Sequence, residues 1–358
     1  LTLAGPGTEL TLRGRVGLKG EYPVAVRAAG NIETGVLSMF VSPVRLRGPL
    51  RLQLSAYGPA SDLKAAGFVE LTDGQISMPE PPIAAENVNA RIELTGERLT
   101  IARFEGLLIG GTLKAKGGLR FTGGEARDID IALDADNVYL DYPFGLRTLS
   151  KAAITLRQDG EAIVLGGGIN ILEGSFRDPL TLEGNLLSML NSPPDSGITA
   201  ERNPYLDRTR FDVGIKTDAP LLVNNNLAKA GLNMDLRLAG DYYQPSLLGR
   251  ITLEEGGELY FAERSYAVER GVITFTSEQK IEPTFDILAR TRTAGHDISL
   301  QISGGGAEKV QTTLTSEPPA SEPDILAMLI TGKSLDDIRG NDAASMAGRQ
   351  ALSYFAGS

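Results

Sequence analysis

Apolar and polar residues alternate with a period of two along most of this sequence, and this pattern constrains the fold more than any other feature. The clearest alternating segments are residues 50–54, 88–94, 128–134, 210–216, 232–238, 285–287 and 298–302. Successive side chains of a β-strand point to opposite faces, so each segment predicts a strand with one apolar and one polar face. Turn-forming pairs such as Asp159-Gly160 and Gly256-Gly257 lie between the segments. Together they predict well over about fifteen strands and almost no helix before residue 321.

A glycine motif repeats beneath the alternation. Gly67, Gly117, Gly167 and Gly249 each begin the pattern G-x-apolar-x-apolar-x-x-G, and the first three copies start fifty residues apart. The fourth copy follows after 82 residues because a polar stretch from 191 to 208, which we expect to be an inserted loop, intervenes. A fixed period of this size is typical of stacked units that bury their faces against their neighbours. The sequence therefore predicts an all-β fold built as an elongated repeat sheet.

The composition excludes several classes of protein. The 358 residues include 42 glycines, no tryptophan and only 6% aromatic residues, so the apolar mass is mainly Leu, Ile and Val. A formal net charge of −10 argues against nucleic acid as a partner, because phosphate binding needs a basic surface. The absence of cysteine excludes disulfides and thiolate metal sites. The longest apolar run, residues 325–330, is far shorter than the roughly 20 residues of a membrane-spanning helix.

The C-terminal part changes character after a proline-rich hinge. Ser321, with Asp324 three residues later, predicts the start of a short helix that ends at Gly332. A second, weakly amphipathic helix is predicted from 342 to 355. We expect four apolar residues of the first helix to plug the end of a groove or to dock a partner, namely Ile325, Leu326, Met328 and Leu329. The predicted organisation is a repetitive β segment at 1–208, a β domain at 209–316, and the hinge with its helices at 317–358.

Two short motifs match catalytic patterns but lack their context. Residues 331–334 have the end of a phosphate-binding P-loop, yet Ala327 stands where that motif needs glycine, and a helix precedes it instead of a strand. Residues 61–64 match the S-x-x-K of serine acyl-enzymes but lie in a predicted turn and lack the companion motifs. Neither motif supports nucleotide binding or acyl transfer.

The titratable residues offer no catalytic or metal-binding set either. His296 is the single histidine, so a histidine pair for a metal is excluded, and a turn residue is the better interpretation. Asp128, Asp130, Asp134 and Asp136 share one face of a strand and are better interpreted as solvated than as a calcium loop, which needs a sharp glycine turn. We therefore predict no catalytic residue, no metal site and no cofactor, and a protein that is not an enzyme.

Several short segments follow one another between about residues 209 and 333. They are AG at 239–240, PSLLGRI at 245–251, EGGELYF at 255–261, RGVITF at 270–275, IEPTFDILA at 281–289, SEPP at 316–319 and DILAMLITGK at 324–333. In this order and spacing they resemble the C-terminal conserved domain of the TamB family, in the wider AsmA-like group of bridge-like envelope proteins. Residues 1–208 resemble the family only in their glycine-punctuated strands.

The resemblance implies a sheet curled into an open U-shaped groove (a β-taco) whose apolar interior conducts phospholipids between the inner and outer membranes. It also implies a periplasmic location in a diderm bacterium and a role in assembling outer-membrane proteins. The implied partners are phospholipid acyl chains and an Omp85-type outer-membrane barrel (TamA-like). We expect the chain to be a fragment, with an N-terminal inner-membrane anchor and the barrel-binding C-terminal stretch outside it.

Alternation gives each strand one apolar side, and the resemblance assigns that side to lipid. The predicted lipid-facing residues are Ile92, Leu94, Leu119, Phe121, Ile129, Ile131, Leu133, Phe211, Val213, Ile215, Met234, Leu236, Leu238, Ile251 and Leu253. Three alternatives remain open: a scaffold or chaperone that pairs with client strands by β-augmentation, a structural β-solenoid adhesin segment, and a β-helix enzyme of the lyase type.

Overall fold

The computed structural model describes residues 1–5, 7–17, 23–34, 45–59, 63–79, 82–123, 125–141, 145–179, 204–261, 264–305, 309–335 and 338. The predicted helix at 342–355, most of the predicted insertion at 191–208, and Ser61 of the S-x-x-K match lie outside these residues. Within the described chain, the alternating segments form β-strands, and the hinge is followed by a short helix. The predicted all-β class with a short C-terminal helix is confirmed.

The strands before residue 180 are β1 Thr2–Gly5, β2 Thr8–Val16, β3 Pro23–Glu33, β4 Arg45–Arg47, β5 Pro49–Pro59, β6 Lys64–Met78, β7 Ile83–Gly96, β8 Arg98–Leu108, β9 Gly111–Thr122, β10 Glu125–Asp141, β11 Leu146–Asp159 and β12 Ala162–Phe176. Those after residue 203 are β13 Thr209–Thr217, β14 Leu221–Asn224, β15 Ala228–Gly240, β16 Pro245–Leu253, β17 Glu258–Phe261, β18 Arg264–Phe275, β19 Pro283–Thr293, β20 His296–Gly305 and β21 Gln311–Glu317. The helices are α1 Pro204–Asp207 and α2 Glu322–Thr331.

These strands belong to one hydrogen-bonded sheet, in which most neighbours along the chain pair antiparallel. Strand β12 is the exception, because it runs parallel to both β13 and β14. The chain divides into two compact units. The first comprises Leu1–Glu173, Thr199–Asp218 and Ala239–Tyr243, and the second comprises Gly174–Ile198, Ala219–Leu238 and Gln244–Ser358. The domain division at residues 208 and 316 stays a prediction.

Long strands of the first unit bend at β-bulges. The strand register shifts between Leu71 and Gly74 in β6 and again at bulges in β7 and β10. Four residues at these shifts have positive φ angles, and all are the Asp or Asn that such angles favour: Asp73, Asn87, Asp128 and Asn137. A bulge bends its strand and increases the local twist, so adjacent bulges curve this part of the sheet.

The repeated glycines have a structural reason. Gly67, Gly117 and Gly167, on β6, β9 and β12, have φ angles of 132°, 123° and 114°. At each position a Cβ would lie between 1.9 and 2.1 Å from a carbonyl oxygen of the adjacent strand. Gly249 of the second unit shares this conformation, with a φ of 114° and the Asp235 oxygen 2.2 Å from a Cβ. The motif therefore marks points where only glycine allows the strands to pair so closely.

No helix in the described part of the chain has both the length and the apolar character needed to cross a membrane.

Candidate functional site

The first unit presents one apolar surface that continues from strand to strand. Leu52 lies opposite Val69, which lies opposite Ile92, and Ile92 lies opposite Ile101. The same rows continue through β13, and we call their apolar members the apolar face. They include Leu50, Leu52, Leu54, Val69, Leu71, Ala90, Ile92, Leu94, Leu99, Ile101, Phe104, Leu113, Ala115, Leu119, Ile131, Leu133, Ala135, Ala152, Ile154, Leu156, Leu165, Ile169, Ile171, Phe211, Val213 and Ile215.

Burial divides this face into two zones. A buried cluster, which we call the bulge core, follows the line of bulges and contains Leu71, Ala85, Val88, Leu113, Ala135 and Val138. Away from this line, most residues of the apolar face stay half-buried, including Leu52, Ile92 and Ile131. Partly buried residues of the neighbouring strands, among them Leu50, Phe104 and Leu133, pack against the bulge core. The half-buried zone leaves aliphatic surface in contact with solvent.

The opposite face of the same strands is charged. Arg91 pairs with Glu70 of the neighbouring strand at 3.4 Å and with Glu93 of its own strand at 2.9 Å. On β10 and β11, Lys151 pairs with Asp136 at 3.1 Å and Arg157 with Asp130 at 3.2 Å. Exposed pairs of this kind contribute little stability each, but their position keeps one side of the sheet hydrated. The sheet is therefore amphipathic strand by strand.

Hydrogen bonds donated by arginine lower the pKa of two glutamates on this charged side. Arg127 donates to Glu161 at 3.0 Å, and Arg208 donates to the other carboxylate oxygen at 3.3 Å. The bond from Arg127 is the largest cause of the lowered pKa of Glu161. Similarly, the bond from Arg103 lowers the pKa of Glu105. Both glutamates therefore remain ionised at neutral pH, as ion-pair partners on a solvated surface.

The second unit has an apolar face of its own. Gly249 packs against Leu236, and Ile251 lies opposite Ile273. Register then carries the same side of the sheet through β19 to Leu300 of β20. We call these residues the second apolar face: Met234, Leu236, Leu238, Ile251, Leu253, Tyr266, Val268, Ile273, Phe275, Phe285, Ile287, Ala289, Ile298, Leu300 and Ile302.

Helix α2 packs on one part of the second apolar face. Ile325, Met328 and Leu329 are each only 1% exposed, and they form a core with four strand residues, Tyr266, Ala289, Ile298 and Leu300. Local sequence explains the ends of the helix: the Ser321 hydroxyl accepts a hydrogen bond from the Asp324 amide at 3.3 Å, and Gly332 closes it with a φ of 74°. The helix covers apolar strand surface that would otherwise face solvent.

The structure places the predicted lipid-facing residues in three environments. Ile92, Leu94, Leu119, Ile131, Leu133, Phe211 and Ile215 are half-buried in the first unit, as are Met234, Leu238 and Ile251 in the second. Ile129, Val213, Leu236 and Leu253 are buried, with at most 7% exposure, and Phe121 is 38% exposed. Of the predicted docking residues, Ile325, Met328 and Leu329 contact strands of this chain, and Leu326 is half-buried.

Several residues of the apolar face are absent from the predicted set. They include Leu52 and Leu54 of β5, Val69 of β6, and Ile154 and Leu156 of β11. Alternation at 50–54 was a sufficient signal for the first two. Ile154 and Leu156 of β11 also alternate with the polar residues Thr155 and Arg157, so the same signal was available there.

The rejected motifs have ordinary structural roles. His296 is the first residue of β20, and its Nδ1 lies 3.0 Å from the carbonyl oxygen of Ala294 in the turn that precedes the strand. The Thr331 hydroxyl donates to the Ala327 carbonyl at 2.7 Å, inside the last turn of α2. Asp128 forms an ion pair with Arg120 at 3.5 Å. Across the residues that the structure describes, no group of three or more histidine, aspartate or glutamate side chains is arranged to hold a metal ion.

Comparison with known proteins agrees with this architecture. A family model described as the TamB C-terminal domain matches residues 97–358, so the similarity predicted for 209–333 is confirmed and extends well beyond it. The chain is also similar to the "Translocation and assembly module subunit TamB" of Haemophilus influenzae (strain ATCC 51907 / DSM 11121 / KW20 / Rd), with 23% identity over 222 residues. That alignment covers 58% of this chain and 17% of the relative, so the chain spans about a sixth of the relative's length. Because the family model matches most of its length, this chain belongs to the TamB family.

Proposed function

We propose that the apolar face of the first unit holds the acyl chains of phospholipids and lets them move along it. The observation that carries this proposal is the half-buried aliphatic zone beside the bulge core, which continues across strands whose opposite side is charged. None of the side chains that define the apolar face is charged. Such a surface has hydrocarbon as its natural ligand, since each buried methylene gains about 0.8 kcal/mol.

Movement follows from the uniformity of the face. Leu, Ile, Val and Ala recur in each cross-strand row, so an acyl chain finds similar contacts at successive positions. When the binding free energy is nearly equal at successive positions, no single position holds the ligand much more tightly than the next, and the ligand can move between them. The apolar face is itself partly exposed, so the phosphate headgroup can stay in water beside it while the acyl chain is bound.

The relative's name supports a wider role. We propose that this chain is the periplasmic part of an inner-membrane-anchored protein of a diderm bacterium. In that role it supports translocation and assembly at the outer membrane, with an Omp85-type outer-membrane protein as its partner. In this role the protein would carry phospholipid through the envelope and would not catalyse a reaction. A scaffold for client strands is the competing function, and the following experiment separates the two.

A photoreactive residue at Leu133 in the full-length protein tests for lipid on the apolar face. We expect phospholipid adducts at Leu133, and we expect Ile131→Arg to abolish them and to weaken the outer-membrane barrier. Leu107→Arg is the matched control, because Leu107 is an exposed aliphatic residue of β8 opposite Glu86, off the apolar face. Absence of adducts at Leu133, together with an intact barrier in the folded Ile131→Arg variant, would favour the scaffold.

A further inference from the structure

Helix α2 occupies a place where the second apolar face would otherwise be open. Its Ile325, Met328 and Leu329 side chains lie against a strand surface that includes Ala289 and Leu300. These two residues are cross-strand neighbours in the rows that define the second apolar face. The helix therefore presents aliphatic groups to the sheet in the position that a bound hydrocarbon would take.

The first unit offers the comparison. On its apolar face, Leu52, Ile92 and Ile131 stay half-buried, and no helix of comparable length covers them in the described ranges. Beneath α2, by contrast, Tyr266, Ala289 and Ile298 have no exposed surface. The two faces differ in exposure because α2 covers this part of the second apolar face with its own side chains.

Two polar contacts attach the last turn of α2 to the strands. Arg264 Nε donates a hydrogen bond to the Leu329 carbonyl at 2.7 Å, and the Thr293 hydroxyl donates to the Met328 carbonyl at 3.4 Å. The arginine bond satisfies the Leu329 carbonyl at the end of the helix, whereas the Met328 carbonyl also accepts from the Gly332 amide at 2.9 Å. The arginine charge also complements the helix dipole. Arg264 is thus the principal polar attachment of the helix.

Two further features bear on how firmly the helix is held. A ten-residue helix is too short to be stable alone in water, so α2 depends on its docking. The Tyr266 hydroxyl is buried under it without a hydrogen-bond partner among the described residues. Burial also raises the pKa of Tyr266 to about 12, so the group stays a neutral, unpaired donor. This unpaired hydroxyl costs free energy in the docked arrangement, but an acyl chain in the same place would leave it unpaired too, so it favours neither occupant.

We propose that the strand surface beneath α2 is an acyl-chain binding site, that α2 fills it when lipid is absent, and that Arg264 holds the helix there. A phospholipid acyl chain and the helix would then exclude each other from Tyr266, Ala289, Ile298 and Leu300. This inference rests on the proposed function, because it assigns one site on the same kind of surface and a gate to that site.

Hydrogen–deuterium exchange of the purified chain tests the exclusion. Dioctanoylphosphatidylglycerol, below its critical micelle concentration, is the probe. We expect it to accelerate amide exchange in residues 325–331 by about tenfold or more, because the displaced helix loses its docking. The same probe should slow exchange in β19 and β20, whose surface it covers.

Arg264→Gln is the matched variant. We expect it to accelerate exchange in residues 325–331 without lipid and to raise the yield of lipid adducts from a photoreactive group at Ile302, which packs against this core. Arg270→Gln is the control, because Arg270 lies on the same strand but pairs with Asp286 at 2.9 Å on the exposed side. A circular dichroism melt close to that of the parent identifies a variant that has kept its fold.

The outcomes separate this inference from the function on which it rests. Lipid adducts at Leu133, with exchange in α2 unchanged or slowed by the probe, would make α2 a permanent part of the core and overturn the gate. No adducts at Leu133 or Ile302 in the parent and in Arg264→Gln would overturn the lipid function, and the gate with it. Faster exchange in α2 together with adducts at Ile302 supports both.

Discussion

Gly167 and Gly168 are adjacent residues of β12 with opposite tolerance for a side chain. At Gly167 a Cβ would lie 2.0 Å from the Ala153 oxygen at a φ of 114°, whereas at Gly168 the nearest atom is 3.9 Å away. We expect Gly167→Ala to lower the free energy of unfolding by about 1–3 kcal/mol, because alanine must strain the backbone or separate the strands. Gly168→Ala should change it by less than about 1 kcal/mol.

Urea denaturation of the two variants measures this difference. Equal stabilities would mean that the strands at Gly167 can separate without cost, and that the fifty-residue repeat has no structural basis in the backbone.

The ion pairs of Glu161, on the charged side of the sheet, predict that the stability of the fold depends on pH. Its pKa is lowered in the folded state by Arg127 and then by Arg208. Its contribution to stability is therefore complete above the ordinary glutamate pKa and is lost as the pH falls through the lowered value. We expect Glu161→Gln to reduce Tm at pH 7 by at most about 2 °C, since exposed pairs are weak, and to match the parent near pH 3.

Glu173→Gln is the control for this measurement, because Glu173 is exposed and lies on the nearby strand β12. Thermal melts between pH 3 and 7 give the comparison. A difference between parent and Glu161→Gln that grows as the pH falls would contradict the assigned ion pairs.

Parity in the sequence identifies which residues share a face but not how deeply each is buried. Val213 and Ile215 both belong to β13 and alternate with polar neighbours, yet only Val213 is buried. Ile129 is buried because Asp128 forms a bulge and shifts the register beside it. Burial at these positions depends on curvature and on neighbouring strands, neither of which a single segment encodes.

At the scale of the element, α2 depends on three buried side chains rather than on its own helical propensity. We expect Leu329→Ala to destabilise its docking by about 2–5 kcal/mol, whereas Leu326→Ala, at a half-buried position, should cost clearly less. Amide exchange in residues 322–331 measures both effects. If the two variants exchange equally fast, Leu329 is not part of the core that seats the helix.

Both ends of α2 could be predicted from its capping residues, because Ser321 and Gly332 each act on the backbone beside them. The surface on which α2 docks could not be predicted in the same way. It is assembled from β17 to β21, and only the register between those strands brings Tyr266, Ala289 and Leu300 together. Strand existence was likewise a local property, while the bulges that bend β6, β7 and β10 were not.

At the scale of the whole molecule, a single path along the first unit predicts that blocks at different points act in series. Ile92→Arg and Ile131→Arg should each abolish lipid passage, since a charge in contact with hydrocarbon is costly at either position. The double variant should be no worse than either single one. Envelope permeability in the three strains measures this, and partial, additive defects would indicate independent binding sites instead of a path.

Much of the architecture could be predicted from the sequence, because an antiparallel sheet of consecutive strands repeats the same local pattern in each strand and turn. Alternation predicts each strand, turn residues separate the strands, and the glycine motif marks the repeat. The parallel pairing of β12 with β13 was not predictable, because it joins segments on either side of residues 180–203. The boundary between the two compact units was also not predictable from the C-terminal resemblance, because each unit is assembled from separate segments of the chain.

The repeated glycines lie on β6, β9 and β12, so one fifty-residue repeat corresponds to three strands. Three is an odd number, and consecutive strands here are antiparallel, so each added repeat reverses the direction in which the chain leaves it. A duplication that keeps both chain ends on their original sides must therefore add two repeats. At roughly 4.8 Å per strand, such a protein grows by about 29 Å at a time. Homologues with different numbers of repeats should then differ in length by steps of about a hundred residues.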